Sequence, residues 1–176
     1  MAEAGTTIED PITRQRITFV RTAKDTNGDL LRVDVTMFPG AFMFRHMHPK
    51  QEEHIEVTAG ALTIAVRGKA HVLSAGETYT IVPSVPHELR NPSDRDCRFL
   101  LEVRPALRTE FGMETLFRLA QEGKTTRRGL PRNPFQMAVI AHTHLDEAAL
   151  PGIPLVLQRA SIAPLAFVGR LLGYKE

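Results

Sequence analysis

The chain has 176 residues, 43% hydrophobic and 24% charged, the proportions of a soluble globular protein long enough to fill one core. A formal net charge of +2 is too small to point to a nucleic-acid partner, although the pI near 8.9 is compatible with an anionic ligand. The single cysteine, Cys97, excludes an internal disulfide framework, and "MAEAGTTIEDPIT" has neither the basic nor the apolar region of a signal peptide, so a cytoplasmic location is expected.

In chain order, the first hundred residues read as strands. "RITFVRTAKDTNGDLLRVDVTMF", residues 16–38, alternates apolar and polar positions on both sides of Asn27-Gly28, which predicts a two-residue hairpin turn. "AFMFRHMH", "HIEVTAGALTIAVRG", "AHVLSAGETYTIVP" and "CRFLLEVRP" follow, each short, rich in β-branched or aromatic residues and ended by Gly, Pro or Asn. Such spacing without helical pattern between the strands predicts an all-β barrel or sandwich over residues 1–105.

Beyond Pro105 the period changes. "TEFGMETLFRLAQEG" puts Met113, Leu116, Phe117 and Ala120 at helical spacing, with Gly123 as the stop. After a basic loop holding Lys124, Arg127, Arg128 and Arg132, a second helix is expected from an Asn133 cap with Pro134 at its first position, ending before Pro151-Gly152. The last apolar stretch, residues 153–173, is broken by Gln158, Arg159, Pro164 and Arg170, too interrupted for the roughly 20 apolar residues of a spanning helix. It is expected as two short helices, or one kinked at Pro164. Residues 106–176 thus form a helical extension that packs on the barrel or at a dimer interface.

"FRHMHPKQEEH", residues 44–54, concentrates three of the seven histidines and two glutamates. Strand alternation puts Phe42, Phe44, His46 and His48 on one face and Met43, Arg45 and Met47 on the other. In the next strand Glu53, Ile55 and Val57 share a face, which turns His54 and Glu56 away from them. Two histidines at i and i+2 fit a polar strand end as well as a metal site. Glu53, and then His87 after a proline-bounded turn, add the carboxylate and third imidazole of a transition-metal shell.

These residues resemble the cupin family. Its first motif is matched by Gly40, His46, His48, Glu53 and Gly60 at every spacing, and the step back from Gly60 selects Glu53 rather than Glu52. Its second is matched by Gly76, His87 and Asn91, with Val82 in place of a proline and Ser84 in place of a glycine. The resemblance covers about residues 30–103 and implies a double-stranded β-helix, the jelly-roll barrel of cupins. It further implies one divalent transition metal (Fe, Mn, Ni, Cu or Zn) held by His46, His48, Glu53 and His87. In an octahedral metal those four leave two positions for water, dioxygen or substrate. The resemblance also implies a homodimer.

If the first motif strand faces inward as alternation suggests, Phe42 and Phe44 line a pocket with Ile55, Val57 and Leu89, and Tyr79 is the nearest candidate hydroxyl. No second charged residue in the motifs suits a base, so acid–base chemistry falls to Glu53 or a metal-activated hydroxide. Each aromatic also fits plain barrel core. His142 and His144 form a second His-x-His, but in a helical pattern, where they diverge and read as a solvated helix end. Cys97 reads as a small buried residue. The expected function is a metal-dependent enzyme acting on a small organic molecule, with dioxygenase-like oxidation first and isomerase or lyase chemistry next. A non-enzymatic small-molecule-binding module is the alternative, and a DNA-binding sensor is disfavoured because no helix-turn-helix precedes the barrel.

Overall fold

The structure, a computed structural model, describes residues 2–175. Among them ten strands precede three helices. The strands are β1 (Thr7–Asp10), β2 (Gln15–Arg21), β3 (Leu31–Met37), β4 (Phe42–His46) and β5 (Glu52–Ala59). They continue with β6 (Ala61–Val66), β7 (Lys69–Ser74), β8 (Thr78–Ile81), β9 (His87–Arg90) and β10 (Cys97–Arg104). Six strands pair in the order β1-β2-β3-β10-β5-β8 and four in the order β4-β9-β6-β7, all antiparallel. The result is a β-sandwich with helices only at its C-terminal end.

Alternation fixes which side of each strand is dry. In β3, Leu31, Val33, Val35 and Met37 are fully buried, and in β10 Cys97, Phe99, Leu101 and Val103 face them at the same depth. Each such side chain contributes about 1.5–3 kcal/mol relative to an exposed position, so a one-residue slip of either strand would forfeit the row. Cys97 is buried as expected, and desolvation pushes its thiol up to about 11, which makes it inert.

Several predicted elements differ in detail. The turn between β2 and β3 spans residues 22–30 rather than two residues. Asn27 and Gly28 do adopt left-handed backbone, with φ 59 and 85. However, the Asp25 carboxylate accepts from Thr22 N (2.9 Å) and Thr22 Oγ1 (2.8 Å), and Thr26 Oγ1 donates to the Leu30 carbonyl (2.6 Å). These side chains satisfy backbone groups that a two-residue hairpin would leave to the ladder. The segments 54–68 and 70–83 each split into two strands, and each pair belongs to different sheets. β1, too short to read as a strand from its sequence, pairs with β2 and carries α1 (Thr109–Gln121).

α1 buries Phe117 and Ala120 and packs Met113 and Leu116 against the barrel core. It ends as expected at Gly123, with φ 67, where Gly123 N donates to Ala120 O and Lys124 N to Leu119 O. α2 (Pro134–Thr143) is capped by Asn133 Oδ1, which accepts from Phe135 N (2.9 Å) and Gln136 N (3.2 Å), but it stops well short of Pro151. His144 at its C-cap is buried rather than solvated. α3 (Leu155–Leu171) is one helix that runs through Pro164, and it packs on α2. Among the described residues no helix is long and apolar enough to cross a membrane.

Gly60 is the corner at which the chain leaves one sheet for the other. Its φ is 73, and a Cβ there would lie 2.5 Å from the Asp96 carbonyl oxygen. Gly28 has φ 85 but open space around it. Gly60→Ala is therefore expected to cost about 2–4 kcal/mol in chemical denaturation, against about 1 kcal/mol for Gly28→Ala. Equal losses in the two variants would show that the corner is not tightly packed.

Candidate metal centre

His46 closes β4, Glu53 opens β5 and His87 opens β9, while His48 follows β4 in the loop to β5. Three segments from two sheets thus deliver four side chains to one end of the barrel. All four are buried, and their ligand atoms lie within 4.8 Å of one another.

The orientation of each imidazole is set from behind. His46 Nδ1 donates to the Phe44 carbonyl (2.7 Å), His87 Nδ1 donates to the Val85 carbonyl (2.9 Å), and His48 Nδ1 donates to the carbonyl of Glu147. A carbonyl only accepts, so each Nδ1 carries a proton and each Nε2 turns inward. His46 Nε2 and His48 Nε2 are 3.0 Å apart, His48 Nε2 and Glu53 Oε1 3.1 Å, and His87 Nε2 and Glu53 Oε2 3.0 Å.

Burial, reinforced by the neighbouring His48 and His87, pulls the His46 imidazole down to about 3, so it is neutral. Burial opposes charge on His48 too, but the Glu53 carboxylate beside it prevails and raises its pKa. Glu53 resists a comparable burial effect through His48 and His87 and stays well below the usual carboxylate range. A proton on His48 Nε2 lies toward His46 Nε2 and Glu53 Oε1. It serves only one side: His87 Nε2 and Glu53 Oε2 face each other as two buried acceptors without a hydrogen-bond partner.

That arrangement fits a cation. Ligand atoms bound at about 2.1 Å in adjacent octahedral positions are about 3.0 Å apart, the spacing found along this set. Three imidazoles and one carboxylate suit a divalent transition metal, which would displace the His48 proton and serve both orphaned acceptors. His46, His48, Glu53 and His87 can therefore hold one metal ion.

Strict alternation fails at β4. The ladder to β9 pairs Phe42 with Arg90, Met43 with Leu89 and His46 with His87, so a bulge lies between Met43 and His46. Phe42 thus stands opposite exposed Arg90, while Met43 packs against the core, correcting the expectation that Phe42 shares the inward face. Phe44 is half-buried, its ring 5.7 Å from that of His46. Ile55, Val57 and Leu89 lie deep in the core. Tyr79 pairs with Ile55 and packs partly against the core, two residues from Ile81, the partner of Glu53. His54 turns away as alternation predicts, toward Thr80 Oγ1 at 2.9 Å.

The second motif's departures find their place. Ser84 has φ 64, the left-handed backbone for which glycine is suited, and its N–H donates to the His48 carbonyl at 2.7 Å. Asn91 is fully buried, and its amide donates to the Met37 carbonyl (2.8 Å) and the Arg95 carbonyl (2.7 Å). Its role is to pin the turn at Gly40, which donates to the Asn91 carbonyl.

A model of the cupin domain matches residues 33–103. Residues 33–103 are a cupin domain. Protein SchB of Streptomyces halstedii is 35% identical over 67 residues, 38% of this chain and 49% of SchB. Polyketide synthase CurC of Streptomyces cyaneus is 30% identical over 69 residues, 39% of this chain and 45% of CurC. The chain spans about half the length of these curated relatives. An RmlC-like cupin from Shewanella frigidimarina superposes with a TM-score of 0.52 at 22% identity, over 62% of this chain and 94% of that one.

Sequence reasoning missed the C-terminal contribution to this centre. Met47 and Ala149 exchange both backbone hydrogen bonds (3.1 and 2.9 Å), and Arg108 N donates to Glu147 Oε1 at 3.2 Å. Residues 147–149 thereby lie along the end of β4 and supply the acceptor that orients His48. Gln51, also unforeseen, donates from Nε2 to Pro105 O (2.8 Å) and Thr109 Oγ1 (2.7 Å), fixing the β4–β5 loop to the start of the helices. No local signal marks a backbone carbonyl ninety-nine positions away.

Elemental analysis of untagged protein should find about one metal per chain in the parent and in His54→Ala. His48→Ala should bind at least about tenfold more weakly, the minimum seen when even a supporting group is lost. Equal metal in His48→Ala and parent would sink the four-residue assignment.

Proposed function

We propose that this chain is a metal-dependent enzyme that oxidises a small organic molecule with dioxygen. The observation that carries the reading is the convergence of three Nε2 atoms and one carboxylate within 4.8 Å of one another, three neighbouring pairs at about 3 Å, with two acceptors otherwise unserved. Four protein ligands would leave a six-coordinate ion two further positions, and open positions separate a catalytic site from a closed structural one. A bound Fe, Mn, Ni or Cu ion supplies redox chemistry there, and Zn supplies Lewis acidity without it. The chain's own residues keep the imidazoles in one tautomer, exclude bulk water by burial, and offer Glu53 as the group that can take or return a proton. CurC's name, polyketide synthase, supports a polyketide-like substrate. Isomerase or lyase chemistry, with Tyr79 as a donor, uses the same centre without oxygen. A non-enzymatic binding module is the competing class.

Oxygen uptake by protein loaded separately with Fe(II), Mn(II), Ni(II) and Cu(II) separates these readings. Uptake should appear with phenolic or 1,3-dicarbonyl probes for at least one redox metal and be lost in His87→Ala. Absence of uptake with every metal and probe would overturn the oxygen-dependent reading.

We also propose that a second copy of this chain covers α3. α3 buries Gln158, Ala166 and Gly169, with Gly169 lying against Val139 and Phe135 of α2, yet Val156, Leu157, Pro164, Phe167, Val168 and Leu171 form a separate exposed stripe at helical spacing. Phe167 is 64% and Val156 78% exposed. Leu150, Ile153 and Leu172, next to the helix in sequence, are exposed as well, and an apolar patch wider than the few hundred Å² usual on a monomer (~300–600 Å²) marks an interaction surface. A helix with two apolar faces needs two partners. Analytical ultracentrifugation should find a dimer that Phe167→Asp converts to monomer; a monomeric parent would refute the arrangement.

A further inference from the structure

The outer strands of the two sheets, β7 and β8, face each other across a cleft of about 330 Å³ that lies beside the metal centre. Its floor is apolar, made by Val66, Ile81 and Val85. Each of these touches a residue of the centre: Val66 pairs with His87, Ile81 pairs with Glu53, and the Val85 carbonyl accepts from His87 Nδ1. A molecule seated here would lie one strand-width from the candidate ligands.

The walls are polar where a barrel core would be apolar. His71 pairs with Ile64 and Tyr79 with Ile55, and both partners are fully buried, so His71 and Tyr79 take inward register positions. Their rings meet across the seam with centroids 5.3 Å apart. Lys69, opposite Val66 on the same face of β7, and Arg67 in the turn before it stand at the mouth. No acidic side chain lines the cleft. Two cations, an imidazole and a phenol above an apolar floor form a site for one kind of molecule: an organic acid whose carboxylate meets Lys69 and Arg67 while its apolar body rests on Val66, Ile81 and Val85. The volume falls at the small end of ligand sites, which run from about 300 to 1,000 Å³.

We infer that the β7–β8 cleft is a binding site for a small planar carboxylic acid, with Lys69 and Arg67 as the anion-recognising pair and His71 and Tyr79 as the side walls. Its use as the substrate site rests on the metal-dependent reading above, whereas its binding chemistry does not. The charged residues act through charge-assisted hydrogen bonds, so a neutral amide of the same shape is a poor ligand.

Benzoate and phenylacetate, each beside its amide, can be titrated against the full-length chain with backbone-amide chemical shifts as the readout. The acids should move the signals of residues 66–71 and 79–85, with the amides at least about tenfold weaker. Arg67→Met combined with Lys69→Met, both exposed, should weaken acid binding at least about tenfold while metal content stays unchanged. The proposal fails if neither acid binds, if the amides bind as well as the acids, or if the double variant binds the acids like the parent. Metal retained without acid binding would overturn this site alone. Acid binding in a chain that takes up no metal would support this site and overturn the metal-dependent reading.

Discussion

Three backbone carbonyls decide what the centre of this barrel can be. By accepting the Nδ1 protons of His46, His48 and His87, they turn three Nε2 atoms toward one another and toward Glu53. Without that constraint, buried imidazoles would rotate to share protons pairwise and the Glu53 carboxylate would pair fully with one of them. With it, two acceptors remain opposed at 3.0 Å in a buried setting, an arrangement that costs free energy unless a cation lies between them. The fold carries that cost because the same backbone segments are locked elsewhere by the Gly40–Asn91 turn and the Ser84 bond to the His48 carbonyl.

The helical extension belongs to this constraint. The carbonyl that orients His48 comes from residue 147, held against β4 by the two Met47–Ala149 backbone bonds. Asp146, one position earlier, pairs with Lys50 (2.8 Å) and with Arg159 of α3 (3.1 Å). These exposed ion pairs contribute little individually, but they connect α3 to the loop that carries His48 and Glu53. Whatever covers the apolar stripe of α3 therefore bears on a segment continuous with the metal centre. A barrel cut from its extension would retain the four side chains and lose one of the three acceptors that aim them.

Much of this was legible in the chain because its signals are short-range. Alternation in β3, β5 and β10 predicts their dry faces, and the spacing from Gly60 separates Glu53 from Glu52 and turns His54 away. Asn133 and Gly123 mark helix ends through hydrogen bonds that reach only a few residues. The errors share a cause. Alternation assumes an unbroken ladder, and the bulge between Met43 and His46 shifts Phe42 to the other face. Asn27-Gly28 has the backbone of a tight turn but sits inside a longer loop, because Asp25 and Thr26 complete its hydrogen bonds.

By itself the sequence determined which residues are candidate ligands, since residue type and spacing along a strand fix the face on which each can lie. It also determined where strands give way to helices, because hydrophobic period is a local property. Only the tertiary structure decided which nitrogen of each histidine faces inward, since the deciding acceptors include a carbonyl from the far end of the chain. It alone brought β7 and β8 together to place His71, Tyr79, Lys69 and Arg67 around one cleft. Those strands belong to different sheets, and the gap between two sheets is set by how their cores pack, which no local pattern encodes.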